Sequence, residues 1–274
     1  MKFGFVLPNN YGLEDPATVI DLAVEAEECG FDSVWVNHHV INIGYIADRL
    51  GDRPYYDALT VLTWAAARTS RVRLGTSVLV MPYLHPMVLA KTLATLDRLS
   101  GGRVIAGLGV GSLPEENEVL GVGYDDRGAW SDEFIEVMLA LWSPGPATFQ
   151  GEHFSMQAAV ASPKPTQAAL EVWIGGSGGP ARRRTARFGR GWHPLTSVDG
   201  LRRRLPRLVE ALEAEGRTRA DLVVAPRVDV SVLADQAAVD AWAEAGADQL
   251  IVMTNSSDLD TVRAGLAHTA TLID

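Results

Sequence analysis

The sequence has little of several features that mark large classes of protein. Its single cysteine, Cys29, excludes an internal disulfide framework, and its place before Gly30 at the end of a predicted helix favours a small buried side chain. No apolar run reaches the roughly 18 residues of a membrane span. A strand pattern begins directly after Met1 and Lys2, where a secretory signal would carry a longer apolar segment. We therefore expect a soluble cytoplasmic protein that does not associate with membranes.

Basic charge and metal-binding motifs are also scarce. The 24 lysine and arginine residues are outnumbered by 34 aspartate and glutamate residues, which gives a net charge of -10. A general nucleic-acid binder needs a basic footprint, so nucleic acid is excluded as a partner. The six histidines are scattered, and neither H-E-x-x-H nor paired cysteines occur, so no metal site is expected.

The chain does contain a regular alternation of apolar strands and helices. With 274 residues, 47% of them hydrophobic, it is long enough for one large core, and we predict a single domain over residues 1–274. Strands are predicted at residues 2–8, 33–39, 72–81, 103–110, 172–174, 192–195, 222–233 and 249–254. Helical patterns begin at Pro16, Asp57, Pro86, Pro114, Ala129, Pro180, Leu201, Ala237 and Leu259. Eight strand–helix units with continuous apolar strands predict an α/β fold, the (β/α)8 TIM barrel.

The segment between the fourth and fifth predicted strands is an insertion. Residues 114–120 and 129–142 have helical patterns, residues 143–167 contain four prolines, and residues 148–154 favour a small hairpin. Barrel sites are built at the C-terminal ends of the strands. We therefore expect the insertion to lie over that rim.

The most informative stretch is the glycine-rich loop between the fifth strand and its helix. The loop consists of Gly175, Gly176, Ser177, Gly178 and Gly179, and four arginines follow it, Arg182, Arg183, Arg184 and Arg187. Glycine amides approach a ligand closely, and a helix N-terminus adds about half a positive charge. This pattern favours a phosphate-binding site. The dinucleotide fingerprint G-x-G-x-x-G is absent, because neither residues 175–180 nor residues 107–112 supply its third glycine.

The same loop also matches the nucleophile elbow G-x-S-x-G. On this reading Ser177 is a nucleophile, and Asp229 and His268 follow it in the chain order of the elbow enzymes. His268 falls inside a helical pattern, and no oxyanion motif precedes the loop. A serine hydrolase is therefore kept as a distant alternative.

Histidines and further glycines stand where other predicted strands end. The second strand ends in His38 and His39, and because neighbours on a strand alternate between faces, only one of them can face a site. A histidine suits proton transfer near neutral pH. The fourth strand ends in Gly107, Gly109 and Gly111, which leave room for a flat ligand against bare backbone.

Seven short runs together resemble the bacterial luciferase-like flavin and deazaflavin oxidoreductases, most closely the branch that depends on coenzyme F420. The runs are residues 33–39 (SVWVNHH), 74–80 (LGTSVLV), 94–103 (ATLDRLSGGR), 107–111 (GLGVG), 151–154 (GEHF), 163–165 (PKP) and 173–176 (WIGG). They occur in the order of that family and cover nearly all of residues 1–195, whereas the match after residue 201 is weak.

The resemblance implies a TIM barrel that binds a flavin-like coenzyme at its C-terminal rim, with a small organic substrate beside it. It places the coenzyme phosphate at Gly175, Gly176, Ser177, Gly178 and Gly179 with Arg183 nearby, and the coenzyme ring near Ser77, Val78, Gly107, Gly109, Val110 and Gly111. It also implies a non-proline cis peptide between Ser77 and Val78 that supports the ring, and a homodimer.

His39 matches the site histidine of the family, for which the resemblance implies a role as acid or base. Many relatives carry Asp or Glu before this histidine, whereas this chain carries His38. The leading hypothesis is an F420-dependent oxidoreductase that transfers a hydride between the deazaflavin and an unknown small organic substrate. Two alternatives stay open: an FMN-dependent luciferase-like monooxygenase, and a non-catalytic protein that binds the coenzyme without turnover.

Overall fold

The computed structural model describes residues 1–128 and 130–273. The strands in this part of the chain are β1 Lys2–Val6, β2 Ser33–Val36, β3 Arg73–Thr76, β4 Leu79–Val80, β5 Val104–Gly109, β6 Ala147–Gln150, β7 Ser155–Ala159, β8 Glu171–Gly175, β9 Gly191–His193, β10 Val223–Val224, β11 Arg227–Asp229 and β12 Gln249–Met253. The α-helices are α1 Pro16–Glu28, α2 Tyr45–Leu50, α3 Ala58–Arg68, α4 Pro86–Leu99, α5 Pro114–Val119, α6 Ser131–Trp142, α7 Gly179–Phe188, α8 Val198–Ala214, α9 Gln236–Glu244 and α10 Leu259–Ala270.

The larger sheet is a parallel barrel of eight positions, which β1, β2, β3, β5, β8, β9, the pair β10 and β11, and β12 fill in turn. The short β4 lies beside β5, and β12 pairs with β1. At the seventh position β10 and β11 are separated by Ala225 and Pro226. The Ala225 amide donates to the carbonyl of Trp192, and the Ile251 amide donates to the carbonyl of Pro226. These hydrogen bonds continue the sheet across the break, so the barrel closes.

Two tryptophans fill the interior of the barrel. Trp35 and Trp173 are 0% and 1% exposed, and their ring centroids are 5.1 Å apart. Glycine occupies the strand positions against which the rings lie. A Cβ on Gly75 would be 2.3 Å from Trp35, and one on Gly191 would be 2.4 Å from Trp173. The glycines therefore make room for an aromatic core that closes the floor beneath the C-terminal rim.

The outer helices begin at side chains that the sequence pattern identifies. Asp15, Asp57 and Asp258 each accept a hydrogen bond from a backbone amide at the start of α1, α3 and α10. Such caps stabilise a helix by about 1 kcal/mol each. They fix where each helix starts and therefore the lengths of the loops at the rim.

The insertion between β5 and β8 consists of α5, α6 and a hairpin, of which α6 packs against α4 in the outer layer. Strands β6 and β7 pair antiparallel, and the Glu133 carboxylate on α6 accepts hydrogen bonds from the amides of Glu152, His153 and Phe154 at 2.8, 2.9 and 3.2 Å. This carboxylate fixes the hairpin turn. The helix predicted at residues 129–142 is observed as α6, and Ala129 lies outside the described residues.

The predicted (β/α)8 barrel with its insertion is confirmed, and three local predictions are wrong. The strand predicted at residues 72–81 is divided into β3 and β4. The strand predicted at residues 222–233 is interrupted at Pro226, which has no amide hydrogen to donate, and ends at Asp229. Cys29 is exposed because it follows Ala26, the last buried position of α1. Within residues 1–128 and 130–273, no helix combines the length and apolar character that a membrane crossing requires.

Candidate functional site

A cavity of about 420 Å³ opens at the C-terminal ends of the barrel strands. Each of the eight barrel positions contributes a lining residue at or just after its strand: Asn10, His38, Ser77, Gly111, Gly175, His193, Arg227 and Met253. Tyr45, Arg49 and Tyr55 from the segment after β2 complete one wall. A volume of this size at the rim of a barrel is typical of a small-molecule site.

His39, the predicted catalytic residue, is paired with a carboxylate from the insertion. Its Nδ1 atom lies 2.5 Å from Oε2 of Glu116 on α5, and the Glu116 side chain is 0% exposed. Oε1 of Glu116 accepts hydrogen bonds from the amides of Val40 and Ile41 at 2.7 and 3.3 Å. Because an ionised carboxylate only accepts, Nδ1 donates its hydrogen to Glu116, and Nε2 is left to exchange a proton. Nε2 lies 3.3 Å from the Tyr45 hydroxyl.

The surroundings of Glu116 hold it in the charged form. Burial raises its pKa, but the hydrogen bonds from His39 and from the amides of Val40 and Ile41 outweigh burial, so the pKa of Glu116 is lowered below its ordinary value. A carboxyl group with a lowered pKa stabilises the fold at neutral pH, and this contribution is lost as the pH falls from about 4.3 through the pKa of the folded state. The His39–Glu116 pair is therefore intact at physiological pH.

His38 is a neutral hydrogen-bond acceptor in the folded protein. Its side chain is buried, and its Nδ1 atom accepts a hydrogen bond from the amide of Val80 at 3.1 Å. Burial lowers the pKa of His38 to about 4. A carboxylate at this position would accept the same bond, so His38 preserves the acceptor that the strand needs, while Glu116 supplies the acid beside His39.

The peptide between Ser77 and Val78 is cis, as the resemblance implied. The Val78 side chain lies across the bare ends of two neighbouring strands. A Cβ on Gly109 would be 2.5 Å from its Cγ2 atom, and a Cβ on Gly175 would be 2.9 Å from its Cγ1 atom. Val78 is thus held against glycine backbone on one side and presents apolar surface to the cavity on the other.

Gly107 has a separate packing role below Val78. A Cβ on Gly107 would lie 1.7 Å from the carbonyl oxygen of Thr76. The Thr76 hydroxyl also donates to the carbonyl of Gly107 at 2.8 Å. The close approach of two strand backbones therefore requires glycine here.

A hydrogen-bond chain beneath the cavity fixes the orientation of Ser77. The Ser77 hydroxyl lies 2.8 Å from Nε2 of His193, whose Nδ1 atom lies 2.7 Å from the carbonyl oxygen of Ala225. Because the carbonyl accepts, Nδ1 carries the hydrogen and Nε2 accepts from Ser77. Burial lowers the pKa of His193 to about 4, so the ring stays neutral. Arg227 donates from Nη1 to the oxygens of the Ser77 carbonyl and hydroxyl at 3.1 and 3.2 Å.

The glycine-rich loop leads into α7 without a side-chain cap. The N-cap residue is Gly178, so the first amides of the helix have no side-chain acceptor. The guanidinium groups of Arg182 and Arg183 lie close to this helix start. A Cβ added to Gly179 would be 3.8 Å from the first and 3.7 Å from the second. Arg184 is instead buried and paired with a carboxylate of α6 at 2.5 Å. We call the loop amides with Arg182 and Arg183 the α7 phosphate site, after the ligand that the sequence predicts for it, and phosphate binding there stays a prediction.

The predicted coenzyme-binding residues fall into three groups. The main cavity is lined by Ser77, Val78, Gly111, Gly175, Gly176 and Ser177. A second cavity of about 210 Å³, which shares Gly175 and Gly176 with the first, is lined by Gly109, Val110 and Gly178. The residues that line neither cavity are Gly107, Gly179 and Arg183, of which the last two belong to the α7 phosphate site. Direct contact of these residues with a coenzyme stays a prediction.

Three charged residues of the site were missed by reasoning from the sequence: Glu116, Arg49 and Arg227. Arg227 is the one basic residue in the predicted strand at residues 222–233, and that charge was a usable signal. Glu116 lies 77 residues from His39 in the chain, and Arg49 lies in a polar segment between β2 and α3. No local pattern marks either residue as part of a site.

The alternative hydrolase triad is not assembled. Ser177 lines the cavity, but Nε2 of His268 on α10 is bonded to the carbonyl of Leu233 at 2.6 Å. Asp229 accepts a hydrogen bond from Asn255 at 2.6 Å. Across the described part of the chain, no hydrogen bond joins Ser177, Asp229 and His268. Ser177 therefore lacks the general base that the elbow mechanism needs.

A family model described as luciferase-like monooxygenase matches residues 1–271. The chain belongs to this family. Among solved structures, an F420-dependent secondary alcohol dehydrogenase in complex with an F420-acetone adduct matches the luciferase-like chain with a TM-score of 0.85 at 20% identity, covering 99% of this chain and 98% of that one. This similarity supports the barrel fold.

Two curated relatives of the luciferase-like chain have names that refer to different chemistry. The F420-dependent glucose-6-phosphate dehydrogenase of Kineococcus radiotolerans is 37% identical over 216 residues, which are 76% of this chain and 61% of that protein. The 4-hydroxyprotoasukamycin monooxygenase of Streptomyces nodosus subsp. asukaensis is 32% identical over 263 residues, which are 88% of this chain and 68% of that protein. The chain thus spans about three fifths of the length of the first relative.

Proposed function

We propose that this luciferase-like protein is an F420-dependent oxidoreductase that transfers a hydride between the deazaflavin and a small organic substrate. The observation that carries the proposal is a single cavity that is lined by the glycine loop leading into the α7 phosphate site, by the apolar surface of Val78 and by His39, which is paired with Glu116. Relatives named for F420 support the choice of coenzyme. The substrate in their name is not carried over, because the chain spans only part of their length.

The residues present fit a phosphorylated, flavin-like coenzyme. The free amides at the start of α7, with Arg182 and Arg183, suit a phosphate. Val78, backed by the bare strand ends at Gly109 and Gly175, would support a flat ring. Bound deazaflavin would supply hydride transfer, and the protein would supply binding, orientation and a proton path.

His39 is the group proposed to move the proton that accompanies the hydride. Oxidation of an alcohol-like substrate removes a hydride from carbon and a proton from oxygen. Nε2 of His39 takes this proton while Nδ1 keeps its bond to Glu116, and in the reverse direction the protonated ring returns it. Glu116 acts through His39 as a positioning residue that stabilises the charged ring.

Titration of the purified protein with F420, followed by coenzyme fluorescence, tests the proposal. We expect micromolar binding, and binding of the phosphate-free deazaflavin nucleoside at least about tenfold weaker, because a charge-assisted phosphate contact is lost. Equal affinity for both forms would contradict the α7 phosphate site. Absence of binding to either would contradict the proposed coenzyme.

An FMN-dependent monooxygenase is the second candidate, because a monooxygenase relative aligns with 88% of the chain. The same titration with FMN separates the two functions. Preference for FMN would favour this candidate, and oxygen consumption with a separately reduced flavin would then be measured. Tight F420 binding without turnover on a broad panel of alcohols and carbonyl compounds would favour the non-catalytic alternative.

Replacing Glu116 with glutamine is expected to change the pH dependence of hydride transfer more than the affinity for coenzyme. The amide keeps an oxygen for Val40 and Ile41 but removes the negative charge that stabilises the protonated His39 ring. Protonation of Glu116, whose pKa is lowered in the wild type, should no longer shape the acid side of the rate profile, and the rate should fall about 10-fold or more because the protonated ring has lost its counter-charge. The matched control is Glu118→Gln on the same helix, which should leave the profile unchanged. An unaltered profile in Glu116→Gln would show that the pair does not act in proton transfer.

The resemblance also leads us to propose a homodimer and a cytoplasmic location. Light scattering of the purified protein would test the first, and fractionation of cells that produce the chain would test the second.

A further inference from the structure

The cavity carries an unbalanced positive charge. No carboxylate belongs to its lining in the described residues, whereas Arg49 and Arg227 both do. The whole chain has a net charge of -10. When an acidic protein places unpaired cationic side chains in one cavity, that cavity favours an anionic ligand.

Arg49 has few partners of its own. It lies on α2, with its guanidinium 4.7 Å above the ring centroid of Tyr11, and its Nη2 atom donates to the carbonyl of Asn10 at 3.0 Å. Its Nε atom is buried without a hydrogen-bond partner, and no carboxylate within residues 1–128 and 130–273 forms a salt bridge with it. The Tyr55 hydroxyl, on the same wall, is likewise buried without a partner.

Among the residues that the structure describes, Arg227 hydrogen-bonds only to neutral groups. Its Nη1 atom donates to Oδ1 of Asn37 at 2.6 Å and to Ser77, and its Nε atom points at the sulfur of Met253 at 2.8 Å. Burial lowers the pKa of Arg227, and the nearby charge of Arg49 lowers it further. Two like charges therefore face the same space, and no carboxylate in the described part of the chain forms a salt bridge with either. A guanidinium favours an oxyanion through paired hydrogen bonds.

The order of the barrel strands separates Arg49 from the α7 phosphate site. The glycine-rich loop follows β8, the fifth barrel position, and Arg49 packs on residues that follow β1, the first position. In an eight-stranded barrel the first and fifth positions are opposite. A coenzyme anchored at α7 thus leaves Arg49 for the second molecule in the cavity.

We propose that the substrate carries an oxyanion, a carboxylate or a phosphate, which Arg49 binds with help from Arg227 and the Tyr55 hydroxyl. This inference rests on the proposed function in assigning the second molecule to the substrate. The oxyanion holds the substrate on the β1 side of the cavity, across the mouth from the coenzyme phosphate.

Calorimetric titration with inorganic phosphate and, separately, with malonate tests the inference at constant ionic strength. Each titration is run on F420-saturated protein and on coenzyme-free protein, for the wild type, Arg49→Met, Arg49→Lys and Arg68→Met. Arg68 is an exposed arginine of α3 paired with Asp21 at 3.8 Å, so its replacement changes the net charge equally at a distance from the cavity. We expect at least one anion to bind the F420-saturated protein, Arg49→Met to weaken it at least about tenfold, Arg49→Lys to weaken it less, and Arg68→Met to leave it unchanged.

Three outcomes would overturn the inference. One is binding of neither anion, and another is binding that Arg49→Met leaves intact. The third is displacement of F420 by the anions in a way that depends on Arg49, which would assign the arginines to the coenzyme. If F420 does not bind in the fluorescence titration, that result counts against the proposed function alone. The anion site is still tested, because anion binding by the coenzyme-free wild type can be compared with that of coenzyme-free Arg49→Met. The more strongly bound anion indicates whether substrates with a phosphate or a carboxylate should be screened first.

Discussion

Replacing His39 with asparagine is expected to lower the rate of hydride transfer by about 10²- to 10⁴-fold, the usual contribution of a positioned acid or base. Asparagine can still donate a hydrogen bond to the Glu116 carboxylate, so the loop at the rim should stay in place. It has no group that takes up a proton near neutral pH. The affinity for F420 should therefore remain at its wild-type value. The single-turnover rate, measured by deazaflavin absorbance, should show the full decrease.

The matched control for this substitution is His85→Asn. His85 is the N-cap of α4, where Nδ1 accepts a hydrogen bond from the Met87 amide at 3.3 Å, and asparagine is a good replacement at such a position. This variant removes a histidine of the same rim without touching the cavity lining, so rate and affinity should both be preserved. A normal rate in His39→Asn would exclude His39 as the acid or base. Equal losses of rate and F420 affinity would assign it to coenzyme binding instead.

Much of the fold follows from patterns that act over short distances. Asp15 and Asp57 were recognisable as helix starts because a cap needs only its own side chain and an amide two or three residues on. The division of the seventh strand was not predicted, because the apolar residues on either side of Pro226 continue the strand pattern. Pro226 itself is a local signal of the break, since it has no amide hydrogen. The prediction that Cys29 is buried was wrong, because Cys29 is the C-cap of α1 and lies beyond Ala26, the last buried position of that helix.

The candidate site was less predictable, because its partners are brought together only by barrel closure. The place of His38 and His39 at a strand end marked both as candidates, and the family resemblance selected His39. Its acid, Glu116, could not be found by looking at the neighbouring position, where His38 stands. The strand needs an acceptor for the Val80 amide, and His39 needs a carboxylate partner. Different residues meet these needs: His38 accepts the hydrogen bond from the Val80 amide, and Glu116 reaches His39 from the insertion.

The runs that carried the family resemblance also mix two kinds of residue. Asp97 is 0% exposed and accepts hydrogen bonds from the amides of Val104, Thr166 and Gln167, and Arg103 donates to the carbonyls of Ala66 and Val72. These contacts lie near the start of β5, opposite the rim. Residues 94–103 therefore join elements of the barrel away from the cavity, whereas residues 33–39 and 173–176 include residues that line it.

Substituting Gly107 with alanine is expected to destabilise the protein by about 3–5 kcal/mol, at the upper end of single-residue effects. The added Cβ would lie 1.7 Å from the Thr76 carbonyl oxygen, so two strand backbones must separate. Gly109→Ala should cost less, about 1–3 kcal/mol, because its Cβ meets only a side-chain methyl, Cγ2 of Val78, at 2.5 Å. Chemical denaturation of both variants measures the two free energies of unfolding.

A second substitution separates packing from coenzyme contact as the reason for these glycines. In Val78→Ala/Gly109→Ala the Cγ2 methyl is gone and the nearest remaining contact is Cβ of Val78 at 3.6 Å, an ordinary van der Waals distance. The double variant should therefore be as stable as Val78→Ala alone, whereas Val78→Ala/Gly107→Ala should stay as unstable as Gly107→Ala. If Gly109 is bare in order to admit the coenzyme ring, trimming Val78 will restore stability but leave the F420 affinity below that of Val78→Ala, because the added Cβ still obstructs the ring. If Gly109 is bare in order to admit Val78, stability and F420 affinity will both return to the Val78→Ala values, because the valine is then the group that meets the ring and the glycine only makes room for it.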